Sequence, residues 1–213
     1  PGVAAVEEFN VQLSVWKLAA GGNAACQIVA FDLRGAMAPP LKMLEGHVRD
    51  LHNQNAVIID QSARRMLGQP RLGERVEILG KRAVVTGICQ DMQSFSTIPM
   101  VFTSLRSGEL YTGSGPKDDS GRESMYFLVK LAPGAAAEQV REAIGRRVPD
   151  VEVHTREGLS WRTRSFWLIE TGMGMAFLLV ACLGLLVGGV ILSQTLLTLT
   201  HERLKEFAIL KAL

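Results

Sequence analysis

The stretch TGMGMAFLLVACLGLLVGGVILSQTLLTLT occupies residues 171–200 and contains no Asp, Glu, Lys or Arg. A helix needs about 20 apolar residues to cross the roughly 30 Å hydrocarbon core of a bilayer. A helix buried in a soluble protein rarely lacks charge on every face over such a length. The sequence therefore predicts a transmembrane helix in residues 166–200, with bounds near residues 167 and 196.

The flanks of this run fit a membrane boundary but leave its orientation open. Trp161, Phe166 and Trp167 precede it, and aromatic rings favour the headgroup zone. Three basic residues lie near each end, which are Arg156, Arg162 and Arg164 before the run and Arg203, Lys205 and Lys211 after it. Basic residues mark the cytoplasmic side, so equal numbers do not decide the direction.

Small residues recur inside the predicted membrane helix. Gly184 and Gly188 form a GxxxG pair, and Gly189 and Ser193 repeat the spacing. Such a stripe lets two helix backbones approach closely, which makes these four residues candidates for helix packing. Glycine is also common in membrane helices in general, so the pattern alone leaves both explanations open.

Residues 1–165 have the mixed charge and short apolar periods of an α+β domain. Alternation in residues 8–18 predicts a strand that forms a hairpin with residues 26–33 through the Gly21-Gly22-Asn23 turn. Residues 55–60 predict a strand, with Asp60 as the N-cap of a short helix over residues 61–67. Further predicted strands cover residues 75–79 and 82–88, which form a hairpin through Gly80-Lys81, and the apolar run 99–105.

The second half of this region predicts a loop and then a strand–helix–strand unit. Gly, Ser and Asp dominate residues 111–124, which predicts the loop. Strands are expected at 124–131 and 151–155, around a helix over 135–148. The apolar face of that helix contains Val140, Ala143, Ile144 and Val148. We expect two subdomains, of which residues 40–123, approximately, form an inserted β-rich one.

Composition and motifs argue against several function classes. The net charge is +2 with acids and bases interspersed, which does not favour nucleic-acid binding. No phosphate-binding loop or nucleophile elbow is present, and HERLK at residues 201–205 has a lysine where a zinc site needs its second histidine. His47, His52, Ser114 and the Asp118-Asp119 pair lack a supporting motif. We therefore predict no catalytic residue, no metal and no cofactor; Cys26 and Cys89 have the option of a disulfide in an oxidising compartment.

The segment HERLKEFAILKAL at residues 201–213 carries most of the functional information. It contains good helix formers and neither Pro nor Gly. Leu204, Phe207 and Leu210 recur every three residues. One interpretation is a helix on the membrane surface with its apolar side in lipid; the other is a helix that docks on a partner protein.

This segment resembles the one that follows the second transmembrane helix of FtsX/MacB-type ABC transporter permeases. The matching residues are Glu202, Arg203, Glu206, Phe207, Ile209, Leu210 and Lys211. Residues 56–88 resemble the extracytoplasmic core domain of that family, and residues 129–157 resemble its last strand–helix–strand unit. DevC-like permeases of tripartite exporters are similar in the order of PGVAAVEEF, LVKLAPGA and LKAL. Family permeases have four transmembrane helices, so the resemblance implies that this sequence is a fragment with one of them.

The resemblance implies a non-catalytic permease subunit of an exporter in the inner (plasma) membrane. ATP would be bound and hydrolysed by a separate cytoplasmic ABC ATPase. Residues 1–165 would lie outside the cytoplasm and engage a periplasmic membrane-fusion adaptor, and the permease would form a homodimer in the lipid. Residues 201–213 would be the cytoplasmic coupling segment, and its expected ATPase contacts are Arg203, Glu206, Phe207, Leu210 and Lys211.

Two other functions remain open at the level of sequence. One is a single-pass membrane-anchored domain that acts as an extracytoplasmic binding or sensor module. The other is a membrane-bound hydrolase whose site has no recognisable motif. The substrate of an exporter is not specified by any motif in the sequence.

Overall fold

The computed structural model describes residues 2–92, 98–113 and 125–212; for Met173, Glu202 and residues 204–212 it describes the backbone only. The chain divides into two compact units, Pro1–Ala136 and Ala137–Leu213. The first unit contains the sheet, and the second contains the helices that lead to the apolar run. Each unit is described separately below.

Eight strands lie within the described residues of the first unit. Their bounds are β1 Val3–Lys17, β2 Asn23–Phe31, β3 Lys42–Gly46, β4 Ala56–Asp60, β5 Arg75–Ile78, β6 Lys81–Gln90, β7 Met100–Ser104 and β8 Tyr126–Leu131. A helix, α1 (Leu105–Thr112), follows β7, and two 3-10 helices cover Val48–His52 and Gln61–Arg65. The unit is therefore mixed α+β, as the sequence predicts, with most of its chain in strands.

Both predicted hairpins are present. β1 and β2 pair antiparallel from Phe9↔Phe31 to Lys17↔Asn23, around a turn in which Gly21 and Gly22 have positive φ. β5 and β6 pair antiparallel with Ile78 opposite Lys81. The loop of this second hairpin is therefore Leu79-Gly80, one residue earlier than expected; both have positive φ, as a tight type I′ turn requires.

Six strands form a closed circuit of pairings. β1 pairs with β2, β2 with β7, β7 with β4, β4 with β6, β6 with β5, and β5 with β1. The β2–β7 and β4–β6 pairs are parallel, and the other four are antiparallel. β8 extends the pairing of β1, and β3 extends that of β6. Closure leaves few open edges in the centre of the sheet.

The core has two clusters because β4 is covered on both faces. Val57 and Ile59 belong to one cluster with Trp16 and Tyr111, whereas Ile58 belongs to the other. Alternate residues of a strand point to opposite faces, so a strand that is apolar at every position must be covered twice. The second cluster also contains Val29, Phe31, Leu51, Ala56, Cys89 and Phe102.

Asp60 caps the 3-10 helix that follows β4, which confirms the predicted N-cap. Its Oδ1 accepts hydrogen bonds from the backbone N–H and the hydroxyl of Ser62, and its Oδ2 accepts one from the backbone N–H of Met92. The side chain is 2% exposed, so these bonds replace those that water would make. The helix is shorter than the expected 61–67 and is 3-10 rather than α.

Two expectations about the domain arrangement differ from the structure. The strands of residues 40–123 pair within the same sheet as β1, β2 and β8, so they do not form a sheet of their own. Residues 151–155 do not form the strand that their alternation predicts. In both cases local pattern was the guide, but pairing with a neighbour decides whether a segment joins a sheet.

The second unit consists of helices. α2 spans Ala137–Arg147, close to the predicted 135–148, with Val140 buried, Ala143 and Ile144 half-buried and Val148 exposed. α3 spans Arg156–Ser165, and a π-helical turn, called the π-turn below, covers Phe166–Glu170. α4 spans Met173–Ala212. The apolar helix thus begins at residue 173, later than the expected 166 or 167, because the chain breaks at Thr171-Gly172.

Candidate functional site

The only helix of the described residues that is long and apolar enough to cross a membrane is the part of α4 from Gly174 to His201. It has 28 residues and none of its apolar window is buried within the chain. At 1.5 Å per residue it is about 42 Å long, which exceeds a bilayer core of about 30 Å. The predicted membrane-crossing helix therefore has a structural counterpart with a later start.

Polar side chains near the end of this span bond to the helix itself. The hydroxyl groups of Thr195, Thr198 and Thr200 each donate to the carbonyl oxygen four residues earlier, at 2.9, 3.0 and 2.7 Å. A hydroxyl without a partner is costly in an apolar medium. These bonds make three threonines compatible with the membrane region.

The four predicted helix-packing residues lie on α4. A Cβ atom built on Gly184, Gly188 or Gly189 would meet no other atom within 4 Å, and Ser193 is exposed. The backbone of α4 is therefore accessible along this stripe. A partner helix would find room there, and whether one binds remains a prediction.

The predicted coupling segment continues α4 rather than forming a separate short helix. The helix runs without interruption through the span and on to Ala212. Arg203 is exposed. Glu206, Phe207, Leu210 and Lys211 lie on the same helix, and their side chains are outside the described residues. Their expected contact with an ATPase remains a prediction.

The chain enters the span through a break that sequence reasoning did not identify. Gly172 has φ +71°, in the left-handed region that favours glycine. A Cβ atom on Gly174 would lie 2.1 Å from the carbonyl oxygen of Leu168, so only glycine fits this close approach. The local signal was present as two glycines around Met173, but the uncharged run concealed it.

Upstream of the break, three charged side chains tie α3 to the segment before it. Arg162 Nη1 donates to Glu152 Oε2 at 2.7 Å, and His154 Nε2 lies 3.1 Å from the same oxygen. The hydrogen bond from His154 and the nearby Arg162 guanidinium hold the pKa of Glu152 below its usual value. Thr155 caps α3 by accepting the backbone N–H of Gly158 at 3.1 Å. This cluster is a local clamp, and sequence spacing alone did not indicate it.

The cysteines and histidines do not assemble into a chemical site in the described part of the chain. Cys26 and Cys89 are free thiols in different core clusters, so the optional disulfide does not form. Burial raises the pKa of each to about 12. His47 caps the 3-10 helix of Val48–His52. No group of three His, Cys, Asp or Glu residues among the described ones has metal-binding geometry, and Ser114, Asp118 and Asp119 lie outside the described residues.

Comparison with solved structures identifies relatives of the fold. The extracellular domain of the noncanonic ABC-type transporter YknZ from Gram-positive bacteria matches with a TM-score of 0.51 and 14% identity, over 72% of this chain and 82% of that one. The periplasmic region of MacB from Actinobacillus actinomycetemcomitans matches with a TM-score of 0.47 and 13% identity, over 69% and 66% of the two chains. A domain of a putative permease from Porphyromonas gingivalis matches with a TM-score of 0.48 and 17% identity, over 70% and 65%.

Sequence comparison gives a more direct assignment. No curated protein matches the chain significantly. The model of the MacB-like periplasmic core domain matches residues 1–147, which include all eight strands. Because this match covers more than half of the 213 residues, the chain belongs to the family of proteins built on the MacB-like periplasmic core domain.

Proposed function

We propose that this chain is part of the permease subunit of an ABC exporter, similar to DevC-like permeases, and that it transmits motion from a cytoplasmic ATPase to an extracytoplasmic domain. The core domain of residues 1–147 supports the family role. The likeness of the fold to the extracellular domain of YknZ, an ABC-type transporter, is consistent with it. The permease itself is non-catalytic, and ATP is bound by the partner chain.

The observation that carries the proposal is the continuity of α4. One helix includes the 28-residue apolar span and the residues up to Ala212. A helix of 12 residues beyond Thr200 reaches about 18 Å from the membrane, far enough to meet a partner in the cytoplasm. Because no joint separates the two parts, a displacement of the coupling segment moves the span directly.

The same proposal fixes the topology and the partners. Residues 1–165 lie outside the cytoplasm and engage a periplasmic membrane-fusion adaptor, and residues 201–213 lie inside. The chain sits in the inner membrane, where the stripe of Gly184, Gly188, Gly189 and Ser193 packs a homodimer. The ATPase contact is formed by Arg203, Glu206, Phe207, Leu210 and Lys211, with Phe207 as the apolar anchor.

The test uses the permease purified from its own membranes in mild detergent, followed by identification of a co-purifying ABC ATPase by mass spectrometry. A buried aromatic anchor contributes about 2 kcal/mol or more, whereas a charge at the rim contributes less. Phe207→Ala should therefore reduce ATPase association roughly 30-fold, and Arg203→Ala should reduce it less. Leu185→Ala, in the middle of the span, is the matched control and should have no effect.

Two results would contradict the proposal. One is the absence of an ABC ATPase from the purified wild-type protein, which would favour a single-pass anchored binding or sensor domain. The other is equal ATPase association for wild type and Phe207→Ala, which would place the apolar side of the segment on the membrane surface.

A further inference from the structure

The π-turn exposes consecutive large apolar side chains just before the membrane span. Phe166, Leu168 and Ile169 are 46%, 59% and 72% exposed. Trp167 lies between them, with its ring edge-on to that of Phe166 at a centroid distance of 5.9 Å. Contiguous apolar surface of this kind marks a site that is covered by lipid or protein in the working molecule.

The π-turn is not needed to cross the hydrocarbon core. The span from Gly174 to His201 alone exceeds the length that a bilayer core requires. The break at Gly172 also separates the two elements, since its positive φ ends the helical path of the π-turn. The π-turn therefore belongs outside the hydrocarbon core rather than at the beginning of the span.

The start of α4 must lie close to water or lipid headgroups. The first backbone N–H groups of a helix have no acceptor inside it, and hydrocarbon provides none. Glu170 carries a charge two residues before Gly172, which places it outside the hydrocarbon for the same reason. The π-turn ends at Glu170, so it lies within a few residues of the headgroup layer.

The composition of this region fits the headgroup layer. Trp and other aromatic side chains favour that layer because they combine an apolar body with a polar edge. The charged residues on α3 and the π-turn are Arg156, Arg162, Arg164, Glu157 and Glu170. Arg162 is paired with Glu152, and the mixed signs require no particular lipid charge.

We propose that the π-turn is a lipid-binding surface that lies in the headgroup layer of the leaflet at the N-terminal end of α4. Phe166, Trp167, Leu168 and Ile169 insert among the lipids, and Gly172 then directs the chain into the span. Its partner is the bilayer that α4 already crosses, so continuity with the span identifies the occupant. The inference rests on the membrane-crossing role of α4 but not on the ATPase contact.

The test measures the depth of individual tryptophans with brominated lipids. The chain has three tryptophans, and Trp16 is 1% exposed in the core of the first unit. Trp16 stays in every variant, so no core mutation is needed. Trp161→Phe leaves Trp167 as the reporter, Trp167→Phe leaves Trp161, and the double variant gives the background of Trp16. Each protein is reconstituted in phosphatidylcholine vesicles with bromine either near the headgroup or near the end of the acyl chain.

We expect Trp167 to lose more emission with the shallow bromine than with the deep one. Trp161 lies six residues further from the span, about 9 Å along a helix, and should lose less. Trp16 should be unaffected. Leu185→Trp in the double-variant background tests the span itself, and it should lose most emission with the deep bromine.

The outcomes separate this inference from the proposed function. If Leu185→Trp shows deep quenching and Trp167 is quenched by neither lipid, a protein surface covers the π-turn and the inference is wrong. If Trp167 is quenched most by the deep bromine, the π-turn is part of the span and the inference is also wrong. If Leu185→Trp is not quenched, α4 does not cross the bilayer and both proposals fail.

Discussion

Arg162 Nη1 donates a hydrogen bond to Oε2 of Glu152 at 2.7 Å, so the helix that leads to the membrane is fastened to the segment that precedes it. His154 Nε2 lies 3.1 Å from the same oxygen. The clamp spans ten residues of sequence and includes the N-terminal end of α3. A movement of α3 is therefore passed to residues 152–154 through side chains as well as through the backbone.

The pKa of Glu152 should be lower than that of an ordinary glutamate, and Arg162→Ala should raise it. The lowered pKa means that the clamp stabilises the fold at pH values above the usual glutamate pKa. That contribution is lost as the pH falls through the lowered value. Carbon NMR of the carboxyl group across a pH titration, with Glu152→Gln to assign the signal, measures it. Arg146→Ala breaks the separate Arg146–Glu142 pair and should not change Glu152. A normal pKa for Glu152 in the wild type would contradict the clamp.

Asp60→Ala should destabilise the first unit by about 2 kcal/mol. The change removes the N-cap and leaves the backbone N–H groups of Ser62 and Met92 without their acceptor. Urea unfolding followed by Trp16 emission, in a protein with Trp161→Phe and Trp167→Phe, measures the loss. Ser62→Ala is the control, because it removes one hydroxyl and keeps both backbone bonds. Equal losses for the two variants would mean that the cap and the Met92 bond contribute nothing.

Gly108→Ala should destabilise the first unit although it lies within a helix. A Cβ atom there would be 2.4 Å from Cβ of Ala30 on β2, well inside carbon–carbon contact distance. Overpacking of this kind costs about 1–3 kcal/mol, more than the helix propensity gained from alanine. The midpoint of urea unfolding reports the result. Gly145→Ala on α2 is the matched control, since its Cβ would meet nothing within 4 Å and should not lower the midpoint. A higher midpoint for Gly108→Ala would show that α1 is not packed against β2.

Cysteines placed on either side of the span should differ in their reaction with a membrane-impermeant maleimide. Intact cells should label Ser160→Cys and should not label Thr200→Cys, because we propose that residues 1–165 are outside. Cys26 and Cys89 give little background, since thiolate is the reactive form and burial raises the pKa of both to about 12. Mass spectrometry of the purified protein locates the label. Labelling of Thr200→Cys in intact cells, with Ser160→Cys labelled only after lysis, would reverse the topology.

The sequence by itself determined the features that depend on neighbours along the chain. The uncharged run of residues 171–200 predicted the span, because length and apolarity are sufficient for a bilayer-crossing helix. Alternation and glycine turns predicted the β1–β2 and β5–β6 hairpins, because an antiparallel pair needs only a tight turn between its strands. The Asp60 N-cap followed from one side chain at the end of an apolar strand.

Only the tertiary structure decided how the strands join and where the span begins. β7 pairs in parallel with β2, a partner about 73 residues away when Met100 is matched with Gln27, and no local pattern specifies such a neighbour. Residues 151–155 alternate like a strand but have no strand partner, so their backbone joins no sheet. The break at Gly172 depends on the approach of Gly174 to the Leu168 carbonyl, a three-dimensional contact. Pairing and close packing bring together groups that sequence spacing leaves apart, and for that reason they are settled only when the chain has folded.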